Sequence, residues 1–136
     1  PYFTNIPAMN TDSATGPSLG PLVWKLSPGS VEKQFKFKLG DWPSEVQLNG
    51  DRDKLYWINK AIWSMDVTAS HVPVRPFLEY SGTIYYGLTV NPANGEVYIA
   101  DAIDYQQQGM IYRYSPEGKL IDEFYVGIIP GAFCWK

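Results

Sequence analysis

The chain has too little of several chemistries for the common kinds of site. Cys134 is the only cysteine and His71 the only histidine among 136 residues. A single cysteine excludes an internal disulfide, and these two residues cannot by themselves form a zinc site. No apolar run reaches the about 18 residues that a membrane-spanning helix needs. The net charge is −3 with no basic patch, which argues against a nucleic-acid groove.

Catalytic groups are also scarce. His71 is the only ordinary general base, and no serine or cysteine lies in a motif typical of a nucleophile. Acidic residues are scattered, and no loop has the spacing of an EF-hand. Asn5, Asn59 and Asp101 recur at strand ends, where they are predicted to cap turns. We therefore predict no catalytic residue, no metal site and no cofactor, and interpret the chain as a protein other than an enzyme.

Aromatic residues and turn formers are abundant. Aromatics make up 15% of the chain, including 10 tyrosines and 5 tryptophans, and there are 11 prolines and 12 glycines. Tyrosine and tryptophan favour pleated strands, whereas frequent proline and glycine interrupt long helices. This composition predicts many short strands joined by turns.

A pattern of strand-like segments repeats along the chain. An aromatic residue followed by apolar residues and closed by Asn or Asp occurs three times, and an alternating aromatic and polar segment follows each copy. The first set is Tyr2–Asn5, Tyr56–Asn59 and Tyr98–Asp101, and the second is Trp24–Ser27, Trp63–Asp66 and Tyr112–Ser115. With two weaker sets, the period is about 44 residues with four strands each, which is typical of a propeller blade.

The repeat predicts an all-β fold, a β-propeller fragment of about three four-stranded antiparallel blades. Residues 1–42 are assigned to strands two to four of one blade, 43–85 and 86–129 to two full blades, and 130–136 to a leftover closing strand. Cys134 in that strand is predicted to be a small core residue. Propellers close with about four to eight blades, so a missing N-terminal half or a second copy is expected to complete the ring. A β-sandwich is the alternative fold.

Residues 45–136 resemble a known family. The match lies in Asp53–Ala69, in Tyr86–Ala102, in Tyr112–Tyr114 and in the ending Gly127–Gly131. These segments resemble the YncE-like surface-layer propellers of Bacteroidetes, whose domain of unknown function is called DUF5074. The resemblance implies the C-terminal part of a seven-bladed propeller in an exported protein, at the cell surface, in the outer membrane or in the periplasm. Some relatives are surface lipoproteins that capture corrinoids and pass them to an outer-membrane transporter.

Loops at one face of a propeller surround its central channel, and aromatic and amide side chains cluster in those loops here. Such groups suit a large, flat, uncharged ligand or a protein partner. The predicted ligand-binding residues are Trp42, Tyr85, Tyr86, Asp104, Tyr105 and Gln107. Solvated loops with aromatics packed on the rim are the alternative interpretation.

Three functions remain open at this point. The first is a non-catalytic surface propeller that binds a small molecule, such as a corrinoid or another nutrient. The second is a protein-interaction scaffold that partners an outer-membrane transporter. The third is a metal-dependent propeller hydrolase or lyase, for which residues outside this chain would have to supply the metal ligands.

Overall fold

In the computed structural model, residues 2–5 and 22–135 are described, and they form ten strands. No helix occurs in these two segments, so none is long and apolar enough to cross a membrane. The strands are β1 (Tyr2–Asn5), β2 (Leu22–Ser27), β3 (Ser30–Lys36), β4 (Ser44–Leu48), β5 (Lys54–Asn59), β6 (Ala61–Asp66), β7 (Tyr85–Val90), β8 (Val97–Asp101), β9 (Gln108–Tyr114) and β10 (Leu120–Ile128).

The strands form three antiparallel sheets in chain order. The first sheet is β1-β2-β3, the second β4-β5-β6 and the third β7-β8-β9-β10. Within each sheet, every strand pairs with the next one along the chain, so each sheet is a meander, and β2–β3, β5–β6 and β9–β10 are joined by short turns. Two of these turns contain Gly29 and Gly118 at positive φ, a conformation that glycine adopts without steric cost.

The second sheet departs from the predicted four strands. Its fourth strand is reduced to one bridge, in which Ile62 and Leu78 pair and the Phe77 amide donates to the Ile62 carbonyl at 2.8 Å. Pro73 and Pro76 lie just before this bridge. Proline has no amide to donate and restricts the residue before it, so the segment cannot extend the ladder.

The core consists of two apolar layers between the sheets. In β5, Leu55 and Trp57 point toward the first sheet, where they pack with Phe35 and Met65. The alternate residues of β5 point toward the third sheet. That layer contains Tyr56, Ile58, Ile62, Leu88, Val90, Val97 and Ile99. The second sheet is therefore buried on both faces, as a blade between two other blades would be.

The C-terminal segment 130–135 crosses the face of the third sheet that points away from the second. No strand occurs in it. Trp135 packs on Tyr98 with ring centroids 5.1 Å apart, and its indole donates to the Thr89 hydroxyl at 3.1 Å. Cys134 is exposed, so its predicted core position is wrong, because the segment has no second sheet on its far side. A closing strand at 130–136 stays a prediction, as do the blade boundaries.

Candidate functional site

The predicted ligand-binding residues converge at one end of the second and third sheets. The first residues of β4 and β7 pair with the last residues of β5 and β8, and β4 packs against β7. Trp42, Tyr85, Tyr86 and the β8–β9 loop 102–107 therefore lie at the same end of neighbouring sheets. We call this region the site end.

Tyr86 and Tyr105 form the centre of the site end. Their rings meet edge to face at a centroid distance of 5.8 Å and an angle of 81°. Both side chains stay accessible, at 42% and 46% of their surface. The Tyr86 ring lies against the backbone of Gly131, where a Cβ would come within 3.1 Å of the ring. Edge-to-face tyrosines with free surface offer a ligand both apolar contact and hydroxyl groups.

Asp104 holds the loop that carries Tyr105. One carboxylate oxygen accepts the backbone amides of Gln106 and Gln107 at 2.9 and 3.0 Å, and the other accepts the Gln107 side-chain amide at 3.1 Å. These hydrogen bonds, led by that of Gln106, lower the pKa of Asp104. Ile103 and Tyr105 adopt positive φ values of 55° and 63°, so the carboxylate supports a strained turn. In the structure, Asp104 and Gln107 shape the loop, and their contact with a ligand stays a prediction.

Tyr85 and Trp42 differ in their exposure beside the tyrosine pair. Tyr85 points toward the core between the second and third sheets, and its hydroxyl lies 3.4 Å from the Ser81 hydroxyl. Trp42 is 45% exposed, and its backbone amide donates to the Asn59 side chain at 2.9 Å. Tyr85 therefore supports the site from beneath, whereas the Trp42 ring is accessible to a ligand.

Of the three predicted turn caps, Asp101 is confirmed, whereas Asn59 bonds the backbone of another loop, 17 positions earlier. Asn59 accepts the Trp42 amide, and buried Asp101 accepts the Ile103 amide at 2.8 Å. The Asn5 side chain lies outside the described part. Asn59 and Asp101 thus fix the loops from which Trp42 and Tyr105 project.

A cavity of about 400 Å³ opens at the site end between the first and second sheets. Phe37 and Trp63 supply aromatic surface, and Lys36, Lys38 and Asp41 supply charge. The Trp63 indole stacks on Trp57 at 6.3 Å and donates to the Asn59 carbonyl at 3.0 Å. No sequence pattern indicated this cavity, because Lys36 and Lys38 fit the solvent face of an outer strand.

His71, the general base that the sequence offers, lies in the loop after β6, where its Nδ1 is 2.8 Å from the exposed Ser70 hydroxyl. Within residues 2–5 and 22–135, no three histidine, cysteine, aspartate or glutamate side chains are grouped to hold a metal ion.

No protein-family model matches the chain, and no curated protein does. Among solved structures, a quinoprotein alcohol dehydrogenase-like protein from Bacteroides thetaiotaomicron matches with a TM-score of 0.66 and 19% identity, over 82% of this chain and 30% of that one. A gluconolactonase from Xanthomonas campestris matches with a TM-score of 0.61 and 17% identity, over 96% of this chain and 43% of that one. This chain has the fold of a partial β-propeller.

The predicted propeller fold is thus confirmed, and the finer family assignment is not. The two neighbours fit a propeller but do not point to the YncE-like surface-layer family in particular. At such low identity they show the fold alone. The chain spans 30% and 43% of the lengths of these two proteins, so it has the extent of less than half of either.

Proposed function

We propose that this propeller segment belongs to a non-catalytic protein that binds a ligand at the site end. The observation that carries the proposal is the accessible pair of Tyr86 and Tyr105. Tyr105 lies on a loop that the Asp104 hydrogen bonds hold in place. An aromatic surface that is already ordered binds without paying the entropy of loop ordering. Trp42 and the neighbouring cavity extend the same surface.

The site end suits a large, flat ligand more than a small charged one. Trp42, Tyr86 and Tyr105 supply accessible aromatic surface. The Asp104 carboxylate is already hydrogen-bonded within its own loop. A corrinoid fits this description, and the resemblance to surface corrinoid-binding propellers supports it. The proposal includes an exported protein that passes its ligand to an outer-membrane transporter, with the ring completed by further sheets.

Calorimetric titration of cyanocobalamin into the complete polypeptide that contains this chain tests the proposal. We expect micromolar binding, weakened about tenfold or more by Tyr86→Ala or Tyr105→Ala, since each removes a ring at the centre of the surface. Tyr125→Ala is the matched control, because Tyr125 is 68% exposed on β10. Equal loss in the control, or no heat with the unmodified protein, would remove the corrinoid as the ligand.

A protein-interaction scaffold is the second candidate, and strand β10 favours it. Phe124, Tyr125 and Ile128 are 43%, 68% and 58% exposed on this edge strand. Exposed apolar edges are typical binding surfaces for other chains. Capture of a transporter by the complete protein, lost in a Tyr125→Lys variant but kept in Tyr86→Ala, would favour this function over ligand binding at the site end.

Lactone hydrolysis is the third candidate and rests on the fold of the gluconolactonase neighbour. Its test is the rate of gluconolactone opening with the complete protein, followed by pH-stat with and without added divalent metal. A metal-dependent rate above the uncatalysed reaction would replace the non-catalytic proposal.

A further inference from the structure

A second cavity lies at the opposite end of the second and third sheets from the site end. It measures about 360 Å³, which is within the range of small-molecule sites. Its walls are the β4–β5 turn, the β7–β8 turn and Pro116 after β9. The strands of both sheets lie within the described residues.

The Tyr56 hydroxyl is the unusual feature of this cavity. Tyr56 lines the cavity, and only 2% of its surface is exposed, with its ring edge-on to Phe77 at 5.5 Å. Among the described residues no atom forms a hydrogen bond with its hydroxyl. Tyr98, at the same position of the next repeat, donates to Glu96, but Lys54 replaces that glutamate beside Tyr56.

Among the described residues, the fully buried side-chain polar atom without a partner is the Trp57 indole nitrogen, so the Tyr56 hydroxyl is open to the cavity and a ligand atom can reach it. Burial, then the charges of Asp53 and Glu117, raise the pKa of Tyr56. The hydroxyl therefore keeps its proton at neutral pH and offers both a donor and an acceptor.

The cavity walls add further hydrogen-bond acceptors and hydrogen-bond donors. Asp53 uses one carboxylate oxygen to accept the Asn49 side-chain amide at 2.7 Å, which leaves the other oxygen as an acceptor. Asn94 uses its carbonyl to accept the Glu96 amide at 3.1 Å, and its side chain also hydrogen-bonds the Glu96 carboxylate. An NH₂ group has two hydrogens, so one N–H is left for a ligand. The lining also contains one further carboxylate, Asp51, and one cation, Lys54.

The shape of the cavity is fixed by a close approach of its two turns. A Cβ on Gly50 would lie 1.9 Å from the Pro92 carbonyl oxygen, so only glycine fits there. The β4–β5 turn is thus locked against the β7–β8 turn. A binding site held in this way loses little entropy when a ligand enters.

We propose that this cavity binds a small neutral polyol or monosaccharide, whose hydroxyl groups hydrogen-bond to Tyr56, Asp53 and Asn94. Hydroxyl groups donate and accept, which matches the mixed set of partners around the cavity. The negative charges of Asp51 and Asp53 disfavour binding of an anion, and the positive charge of Lys54 disfavours binding of a cation. The rings of Pro92 and Pro116 supply apolar contact for the C–H faces of such a molecule.

NMR titration of D-glucose and of sorbitol into the ¹⁵N-labelled chain tests this proposal, with the Asn94 side-chain amide as the reporter. We expect saturable shifts with at least one probe at millimolar concentration. Tyr56→Phe removes only the hydroxyl and keeps the ring, so affinity should fall about threefold to tenfold, the usual value of one hydrogen bond. Tyr125→Phe, on exposed β10, should leave affinity unchanged.

Three outcomes would overturn the proposal. The first is that neither D-glucose nor sorbitol shifts the NMR signals. The second is that Tyr56→Phe binds the probe with the same affinity as the unmodified chain. The third is that spermidine binds more strongly than both probes, which would indicate a cation site. If Tyr56→Phe fails to fold, Asp53→Asn replaces it, because Asp53 is exposed and the change turns its free acceptor oxygen into a donor, which should weaken binding about threefold to tenfold. Corrinoid binding at the site end is measured separately, so either site can fail without the other.

Discussion

Substitution of Gly50 by alanine tests whether the second and third sheets meet as described. The added Cβ would lie 1.9 Å from the Pro92 carbonyl oxygen, so the two turns must separate by about 1 Å or more. Forced separation of packed backbone costs about 1–3 kcal/mol. Gly50 does not have a positive φ, so the expected loss of stability comes from the close contact and not from backbone strain.

Urea unfolding followed by tryptophan fluorescence measures this cost. We expect the free energy of unfolding of Gly50→Ala to fall by about 1–3 kcal/mol with an unchanged slope. Gly127→Ala is the matched control, since no atom lies within 4 Å of its added Cβ and its φ is not positive. It should change stability by less than about 1 kcal/mol. Equal stability of Gly50→Ala and the unmodified chain would refute the packing of these turns.

Three further predictions concern the core, the contact between the first two sheets, and the site end. Trp57→Phe should change the free energy of unfolding by less than about 2 kcal/mol in urea, because the lost volume is offset by removal of a buried indole N–H that has no partner. Lys33→Met should destabilise by about 1–2 kcal/mol and speed hydrogen exchange at 67–69, whose carbonyls accept from Lys33 at 3.0 to 3.4 Å. The pKa of Asp104 is lowered by its hydrogen bonds, so the loop should be stable at neutral pH and loosen only below about pH 4, seen as shifts of Tyr105 NMR signals. Loosening near pH 6 would contradict this.

The sequence predicted the fold because alternation and turn residues agree along most of the chain. In β5 the alternation of Leu55 and Trp57 with Tyr56 and Ile58 places large residues on both faces, as a blade between two blades requires. The turn cap at Asp101 was predictable from its residue type, since an Asx side chain bonds the backbone two residues further on. The bond of Asn59 to the Trp42 amide joins two loops 17 positions apart and was not predictable in this way.

Three details of the structure differ from what the repeat or the residue types suggest. Residues 77–78 look like a strand in sequence, but two prolines before them leave a single bridge. Tyr56 and Tyr98 have the same repeat position. Within the described segments the Tyr56 hydroxyl has no hydrogen-bond partner, because Lys54 stands where the other repeat has Glu96. The turn that Asp104 supports adds to its predicted ligand contact, which stays a prediction, since an aspartate two residues before Gln106 is also a sign of an Asx turn.

The uncovered β10 strand leads to a prediction about association. It is the edge of the third sheet, its backbone groups on one side are unpaired within the described chain, and Tyr125 and Ile128 are 68% and 58% exposed. Such an edge pairs readily with a second copy. We therefore expect this chain on its own to have a mass above 15.4 kDa by light scattering.

A charged residue on the edge should reduce that association, because lysine blocks edge-to-edge pairing. Ile128→Lys is the test variant, and Val74→Lys is its control, since Val74 is 94% exposed on a loop away from β10. A monomeric unmodified chain would show that the exposed apolar residues of β10 do not drive pairing. If both variants dissociate to the same extent, the contact between chains does not involve β10 in particular. Only an effect confined to Ile128→Lys supports β10 as the surface that another sheet covers.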